Sequence, residues 1–352
     1  MRTCWGCSRR TRPGAWRSRI LRLAIPSDGE LYESTLSFLR SSGLPVERAS
    51  SRRYTGTIGG GSGATVLFQR TADIPLKVED GSVDLGITGL DRYMEMCPEG
   101  GDALLVMDDL GYGGCKLMVG VPDSWLDVDS MSDLADLSVD MREHGRDLKI
   151  ATKYPRLVER HMLRHGVSYY SLVQSSGTLE AAPAMGFADI IADISSTGTT
   201  LRENRLKTVE NGTILASQAC IIGNGRRLAE EPDALRETRI LLEQAEAHLR
   251  ARDFFSITAN ILGSSPEDVA EQVTRRPEVS GLKGPTIARV YSEDEGTWFA
   301  VTLVVPRDRL LEAVDHLREI GAGSVTVSQA LYVFQDRCNA YQSLLQALGR
   351  AG

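Results

Sequence analysis

The sequence predicts an α/β protein with two lobes, each built on a parallel sheet with helices on its faces, followed by a ferredoxin-like module. Two observations predict this architecture. Between residues 21 and 223, short apolar segments alternate with amphipathic ones, which is the pattern of β-α-β units. Over residues 254–334 the order of segments is strand, helix, strand, strand, helix and strand, which indicates a split βαβ unit.

The first lobe is predicted from an opening β-α-β-α-β order. Leu21–Ile25 is a short apolar strand, and residues 26–29 turn the chain into an amphipathic helix. Val66–Phe68 is a second strand, and a short helix follows at Ile74–Glu79. Val83–Thr88 is apolar and bounded by glycines, so we expect a buried strand there.

The second lobe is predicted to begin at a crossover over residues 114–120. Its expected elements are the strands Cys115–Val121, Lys149–Thr152, Ser168–Val173 and Ile190–Ile194 and the helices Leu157–His165 and Thr178–Met185. A strand at Thr213–Gly223 is expected to return the chain to the first lobe. Two lobes joined by two crossovers form a cleft, and clefts between lobes commonly bind ligands.

The module follows a charged helical connector at Arg226–Arg252. Ser265 is the expected N-cap of its first helix, with Pro266 at the first helical position. The other expected elements are the strands Phe254–Asn260, Thr286–Tyr291, Trp298–Val305 and Val325–Phe334 and a helix from Pro306 to Ile320. The predicted divisions are a tail 1–19, lobe I at 20–115 with 210–225, lobe II at 116–209, a connector 226–252 and a module 253–345.

Composition excludes several classes of protein. The chain has 352 residues, 42% hydrophobic and 25% charged, and no apolar run reaches the roughly 18 residues of a membrane span. Residues 1–19 carry six Arg and no acid, so the rest of the chain has a net charge of −13. An acidic body argues against nucleic acid as a partner. The basic head lacks the apolar core of a secretory signal, and we interpret it as a disordered tail, with a transit peptide or a misplaced start codon as alternatives.

Cysteine usage indicates a reducing compartment. Of six cysteines, only Cys4 and Cys7 are close in sequence, and a lone CxxC is weak evidence for zinc. The other four are scattered and are expected to be small apolar core residues. We therefore expect a cytoplasmic protein.

The segment that carries chemistry is residues 186–201. A predicted strand ends at Asp193, and six small residues, Ser195 to Thr200, follow it before a helical turn. Small residues leave backbone amides accessible, and at a helix N-terminus such amides and hydroxyls bind a phosphate group. Gly198 permits a backbone shape that other residues resist. Asp193 is placed to accept hydrogen bonds from sugar hydroxyls, so the segment suits a phosphorylated ribose; a Ser/Thr-rich turn with an N-cap is the alternative.

The same segment resembles the signature of the ATP phosphoribosyltransferase family, which begins histidine biosynthesis. Ten defined positions at fixed spacing are filled, by Glu180, Gly186, Ala188, Ile191, Asp193, Ile194, Thr197, Gly198, Thr200 and Leu201. The resemblance extends over about residues 20–345, through the segments 21–26, 70–75, 84–91, 114–117, 150–155, 284–287 and 320–325. It implies a periplasmic-binding-protein-like catalytic core with a C-terminal ACT-like regulatory domain, which is the long form of the family.

One departure concerns the loop after the first strand. The family usually has a Lys and a Gly-Arg there, whereas residues 26–30 read Pro-Ser-Asp-Gly-Glu, so the Gly is kept and both cations are absent. Such cations pair with polyphosphate oxygens. The candidates to replace them are Arg52, Arg53, Arg70, Lys116 and Lys153.

The resemblance implies that adenine N1 of ATP attacks C1 of phosphoribosyl pyrophosphate (PRPP), with Mg²⁺ carried by the departing pyrophosphate. The implied catalytic residues are Asp193 and Glu180, and the implied PRPP-binding residues are Asp193, Ser195, Ser196, Thr197, Gly198, Thr199 and Thr200. Expected ATP or pyrophosphate contacts are Gly29, Arg70, Asp84, Asp91, Lys116, Thr152 and Lys153. Effector candidates are Thr286, Gly321 and Ser324, with histidine as inhibitor and a dimer or hexamer as the assembly.

Two alternatives stay open from the sequence. A two-lobed solute-binding protein or regulator has the same lobe pattern, but it carries a secretion signal or a DNA-binding segment and no Ser/Thr-rich phosphate site. A degenerate paralogue that binds PRPP without ATP-dependent transfer is suggested by the missing cations around Gly29.

Overall fold

The protein is described by a computed structural model that covers residues 21–50, 52–59, 63–174, 179–196, 198–292 and 296–350. The predicted tail 1–19, with Cys4 and Cys7, lies outside the described residues, as does Thr197. The described residues form three sheets of seven, five and four strands. These sheets correspond to two lobes and a C-terminal module, which confirms the predicted fold class.

The strands of the two lobes are β1 (Arg22–Pro26), β2 (Val46–Glu47), β3 (Thr55–Ile58), β4 (Thr65–Gln69), β5 (Leu85–Gly89), β6 (Ala103–Met107), β7 (Cys115–Pro122), β8 (Leu148–Thr152), β9 (Tyr170–Gln174), β10 (Ile190–Ser195), β11 (Leu206–Ser217) and β12 (Ala219–Asn224). Their helices are α1 (Glu30–Ser41), α2 (Ile74–Glu79), α3 (Leu90–Met96), α4 (Met131–Glu143), α5 (Pro155–Arg164) and α6 (Thr199–Glu203). After them come α7 (Gly225–Glu230), α8 (Pro232–Ala251), β13 (Phe254–Leu262), α9 (Pro266–Thr274), β14 (Thr286–Val290), β15 (Trp298–Pro306), α10 (Leu310–Glu319), β16 (Val325–Gln329) and α11 (Asn339–Ala347).

Lobe I is the sheet β2-β3-β4-β1-β5-β12-β6. Its centre is parallel: Leu23 of β1 lies beside Val66 of β4 and Leu85 of β5, and all three side chains are buried. Because β1, β4 and β5 run the same way, their carboxyl ends meet at one edge of the sheet. In open α/β sheets this is the edge at which ligands bind.

Lobe II is the sheet β11-β7-β10-β8-β9. Strands β8, β9 and β10 are parallel, and β7 runs antiparallel to β10, with Ser195 directly opposite Lys116. The predicted helix at Thr178–Met185 is reduced among the described residues to a single 3₁₀ turn, Leu179–Ala181. This turn precedes β10 and places Glu180 near the carboxyl end of that strand.

The return to lobe I differs from the prediction. The expected strand Thr213–Gly223 is two strands, β11 and β12, in different sheets. Residues of β11 remain paired with β7 up to Ser217, opposite Cys115, so residues 210–217 belong to lobe II rather than to lobe I. The chain changes sheets at Gln218, because β12 finds its hydrogen-bond partners in β5 and β6.

The predicted connector is two helices, α7 and α8, and the second opens with Pro232, whose ring cannot continue a preceding helix. Leu235, Leu241 and Leu242 of α8 are buried in the core of lobe I. The connector is therefore part of the lobe rather than a free linker.

The module has the sheet order β14-β15-β13-β16, as expected for a split βαβ unit. The predicted N-cap is confirmed, since Ser265 Oγ accepts a hydrogen bond from the Asp268 amide at 3.1 Å. The predicted helix at Pro306 begins as a 3₁₀ turn, and α10 itself starts at Leu310.

The C-terminal end of the module differs from the prediction. The last strand, expected to reach Phe334, ends at Gln329. The chain then returns to lobe I, where Leu344 of α11 is buried in the core. The predicted module 253–345 therefore includes a segment that packs elsewhere, because the apolar face of α11 finds its partners on α8.

Candidate active site

A buried hydrogen-bond network joins the two lobes at the carboxyl ends of β5 and β8. Tyr154 Oη, from lobe II, donates to Asp91 Oδ2 of lobe I at 2.7 Å. Ser217 Oγ donates to Asp91 Oδ1 at 2.7 Å and accepts from the Asp91 amide at 2.9 Å. Asp91, expected to contact ATP, therefore uses both carboxylate oxygens to hold the lobes together.

Arg92 lies on this network, next to the cleft. Its guanidinium stands 4.3 Å from the centre of the Tyr154 ring, and its Nε is 3.7 Å from Asp91 Oδ2. The side chain is 22% exposed, so part of it is accessible to solvent. The sequence predicts Thr152, Lys153 and Tyr154 as a wall of the second lobe but does not indicate Arg92, because only the approach of the lobes places Arg92 beside Tyr154.

Asp193 lies at the carboxyl end of β10 and is 8% exposed. Its Oδ1 accepts a hydrogen bond from the Ile194 amide at 2.8 Å. Burial raises the pKa of Asp193 above its ordinary value, and the hydrogen bond from Ile194, which acts to lower that pKa, does not cancel the rise. The carboxyl group is therefore buried without a cation in direct contact among the described residues.

The groups around Asp193 act on it through space. The negative charge of Glu180 adds to the rise in its pKa, whereas the positive charges of Lys153 and Arg92 oppose it. Asp193 and Glu180 therefore lie close enough for their charges to interact. Two cations, one from each lobe, act on the same carboxyl group without contacting it.

The bend after β10 has the backbone that a glycine permits. Gly198 has a φ of 72° and precedes α6, and nothing lies within 4 Å of where a Cβ would be. The glycine is thus required by conformation rather than by crowding. The Gly198 amide donates to Ser195 Oγ at 2.8 Å, which corrects the expectation that all amides of this bend are accessible. Ser196, Thr199 and Thr200 are exposed.

Three expected cations lie at these carboxyl edges. Lys116 is exposed and sits across from Ser195 in the pairing of β7 with β10, so it lies level with the start of the bend. Arg70 is exposed and directly follows β4. Lys153 is exposed and precedes Tyr154.

Thr152 has a structural role that the sequence did not indicate. It is fully buried, and its Oγ1 donates to the Ala192 carbonyl at 2.8 Å and accepts from the Tyr154 amide at 3.0 Å. Both contacts fasten the end of β8 to β10 and orient Tyr154. The expectation that Thr152 contacts ATP is therefore not supported.

Asp84 lies at the amino end of β5, opposite the carboxyl edge. It is 2% exposed and accepts hydrogen bonds from Arg227 Nε at 2.8 Å and Arg22 Nη2 at 3.2 Å. Burial acts to raise the pKa of Asp84, but hydrogen bonds from the two arginines outweigh it and hold that pKa below the ordinary value. The structure corrects the assignment of Asp84 to the ATP site, because its carboxylate is occupied at the wrong edge of the sheet.

The loop after β1 presents negative charge to the carboxyl edge. Gly29 has a φ of 77° and precedes α1, whose first turn carries Glu30 and Glu33. An added Cβ at Gly29 would meet nothing within 4 Å, so this glycine too is required by backbone conformation. The edge of lobe I therefore contains acids where the family resemblance implied cations.

The structure does not bring the three effector candidates together within one module. Thr286 is on β14 and Gly321 and Ser324 precede β16, at opposite edges of the four-stranded sheet. Three strand spacings separate these edges, about 14 Å. A single small ligand on one module cannot touch all three residues.

Comparison with known families gives two matches. Residues 70–244 match the family described as HisG: ATP phosphoribosyltransferase, and residues 251–330 match the HisG C-terminal domain. The first match contains the cleft residues from Arg70 to Ser217, and the second contains the module. Together they favour a transferase over a solute-binding protein.

Similar proteins span almost the whole chain. ATP phosphoribosyltransferase 2, chloroplastic, of Arabidopsis thaliana is 37% identical over 335 residues, which is 94% of this chain and 81% of the relative. ATP phosphoribosyltransferase of Nitrobacter hamburgensis is 35% identical over 331 residues, 93% of this chain and 98% of the relative.

A solved structure, titled the ATP phosphoribosyl transferase (HisG:HisZ) complex from Thermotoga maritima, has a similar fold. Its TM-score is 0.50 at 24% identity, and the match covers 64% of this chain and 98% of the other. At that identity the likeness concerns the fold alone. Among the described residues, no helix is long and apolar enough to cross a membrane.

Proposed function

The chain belongs to the ATP phosphoribosyltransferase family, in its long form, and from this premise we propose which of its residues carry out the reaction. The enzyme catalyses the first step of histidine biosynthesis, in which the phosphoribosyl group of PRPP is transferred to N1 of the adenine of ATP. It is a pentosyltransferase, and pyrophosphate leaves.

We propose that Asp193 and the bend that follows it bind PRPP. The observation that carries this proposal is the buried carboxyl group of Asp193 at the end of β10, which no cation of the described residues contacts and which the Gly198 turn follows. Asp193 accepts hydrogen bonds from the ribose hydroxyls, with Glu180 beside it. The 5′-phosphate binds the bend, held by Ser195, Ser196, Thr197, Gly198, Thr199 and Thr200, with Lys116 alongside.

ATP is assigned to the carboxyl edge of lobe I, near Gly29 and Arg70, with Lys153 facing it from lobe II. The adenine N1 lone pair forms the new bond to C1, and the C1–O bond breaks with its electron pair leaving on pyrophosphate. The positive charge acquired by the adenine is balanced by loss of a proton from its amino group. N1 is already a nucleophile, so alignment and charge stabilisation supply the catalysis. Mg²⁺ enters as part of the substrate, chelated by pyrophosphate oxygens.

Two further proposals follow from the long form: the module binds histidine as a feedback inhibitor, and the chain assembles as dimers and hexamers. A third, that the enzyme is cytoplasmic, is supported by the low and scattered cysteine usage. Gel filtration with and without histidine tests the first two together, since an effect of the amino acid on assembly requires both a site and an oligomer. An unchanged elution volume and uninhibited turnover would contradict them.

The test of the catalytic proposal is Asp193→Ala. Turnover of ATP and PRPP, followed by the absorbance of the product with pyrophosphatase present, should fall about a hundredfold or more, because the ribose loses its orientation. Asp127→Asn, an exposed change in the same lobe, is the matched control and should leave turnover intact. Full activity of folded Asp193→Ala would overturn the proposal.

A further inference from the structure

We propose that Arg92 binds the pyrophosphate end of PRPP and stabilises its departure; this rests on the proposed placement of PRPP at Asp193. The reaction releases a highly charged anion into the cleft. The loop after β1 lines that cleft with Asp28 and Glu30, which repel it. A cation from elsewhere in the cleft must therefore offset this repulsion.

Arg92 has the required position. It is the third residue of α3, directly after Asp91 and at the carboxyl end of β5, and its guanidinium lies over the Tyr154 ring of the other lobe. The positive charge of Arg92 acts on the carboxyl group of Asp193 and lowers its pKa. In the proposed arrangement, Asp193 binds the ribose. The pyrophosphate is attached to C1 of that ribose. When Asp193 holds the ribose of PRPP, the pyrophosphate therefore extends into the part of the cleft next to Arg92.

Arg92 also has unused hydrogen-bonding capacity. Its shortest ion-pair distance, from Nε to Asp91 Oδ2, is 3.7 Å, too long for a hydrogen bond. Within the described parts of the chain, Arg92 is not a donor in any hydrogen bond. A guanidinium has five N–H donors in a planar fork that fits phosphate oxygens in pairs.

Asp91 does not require Arg92 for its own stability. Its two carboxylate oxygens already accept hydrogen bonds from Tyr154 and Ser217, each at 2.7 Å. Where an arginine does compensate a buried acid in this chain, the distance is shorter: Arg227 Nε lies 2.8 Å from Asp84 Oδ1. The longer distance at Arg92 leaves its fork available to an anion in the cleft.

Arg92 also acts on the thiol of Cys115, at the start of β7. Burial raises the pKa of Cys115, and the negative charges of Asp91 and Glu30 add to that rise, while Arg92 opposes it. The positive charge of Arg92 therefore lies in a part of the protein where acids outnumber it. When the C1–O bond breaks, the electron pair moves onto pyrophosphate, and Arg92 interacts with the negative charge as it develops.

The experiment measures binding of three ligands to the full-length protein: pyrophosphate, PRPP and ribose 5-phosphate. In Arg92→Gln, the dissociation constants for pyrophosphate and PRPP should rise by about ten- to a hundredfold, the loss expected for a charged hydrogen bond. Ribose 5-phosphate lacks the pyrophosphate, so its affinity should not change. Arg160→Gln, which removes an exposed arginine paired with Glu99, is the control and should bind all three ligands like the wild type.

Two results would overturn the assignment of Arg92. One is unchanged affinity for pyrophosphate; the other is an equal loss for all three ligands, which would mean that Arg92 only supports Tyr154. If Arg92→Gln does not fold, Arg92→Lys decides by the same criteria, since it keeps the charge but loses the fork. Failure of the proposed PRPP site is a separate result, because Asp193→Ala would then bind ribose 5-phosphate normally.

Discussion

Two buried aspartates differ in how the protein compensates their charge. Asp84, at the amino edge of lobe I, is 2% exposed and contacts two arginines, which lower its pKa. Asp193, at the carboxyl edge of lobe II, is 8% exposed and its pKa is raised by burial. The first carboxylate is compensated by two arginines, whereas no cation of the described residues contacts the second, which we propose as a ligand site.

The largest effect on stability is expected at Asp84. Asp84→Asn should lower the free energy of unfolding by about 3 kcal/mol, because Arg22 and Arg227 lose the charge that compensates them in a buried site. Urea denaturation measures this, with Asp127→Asn as an exposed control. Turnover per folded molecule should be unchanged, and a loss of turnover at full stability would place Asp84 in the active site after all.

Asp91 is an intermediate case, since hydroxyl groups rather than arginines hold it. Tyr154→Phe removes one hydrogen bond between the lobes, from Tyr154 Oη to Asp91, and should lower the free energy of unfolding by about 2 kcal/mol, within the usual range for a bond to a charged group. Tyr169→Phe is the matched control, because Tyr169 is 41% exposed. Equal stability of the two variants would show that the bond from Tyr154 to Asp91 contributes nothing to joining the lobes.

Asp193 should respond in the opposite sense. Asp193→Asn should raise the free energy of unfolding at pH 7 by about 1 kcal/mol while turnover collapses, because it removes a charge that the fold does not compensate. A destabilised variant would contradict this and make Asp193 a second structural acid like Asp84.

The stability of Asp193→Asn and Asp84→Asn relative to the wild type should depend on pH in opposite ways. A raised pKa in the folded state means that ionised Asp193 destabilises the protein above that pKa, and the penalty disappears below the unfolded value of about 3.9. The advantage of Asp193→Asn should therefore vanish as the pH falls toward 4. Asp84 has a lowered pKa, so its stabilisation is present above about 3.9 and is lost as the pH falls through the folded value. Unfolding free energies measured over this range test both signs.

The parts of the site that were predicted from the sequence are those built from adjacent residues. Asp193 and the bend through Thr200 form one segment, and Glu180 precedes it at a fixed spacing. The sequence assigned Thr152 and Asp84 to the ATP site, which the structure does not support. A polar residue at a strand end gives the same sequence pattern whether its side chain binds a ligand or bonds to the neighbouring strand. Their hydrogen-bond partners, Ala192 and Arg227, are distant in sequence, and nothing local indicates them.

The fold class, the family and the segment proposed to bind the phosphorylated ribose follow from the sequence alone, because hydrophobic periodicity and contiguous small residues are local properties. Which acids are compensated, the position of Arg92 beside Tyr154 and the return of α11 to lobe I follow only from the folded chain. These depend on contacts between residues far apart in the chain, such as Asp91 with Tyr154 and Ser217. The free energies of these contacts depend on how deeply the residues are buried and on the relative positions of two sheets. Both are defined only in the folded protein.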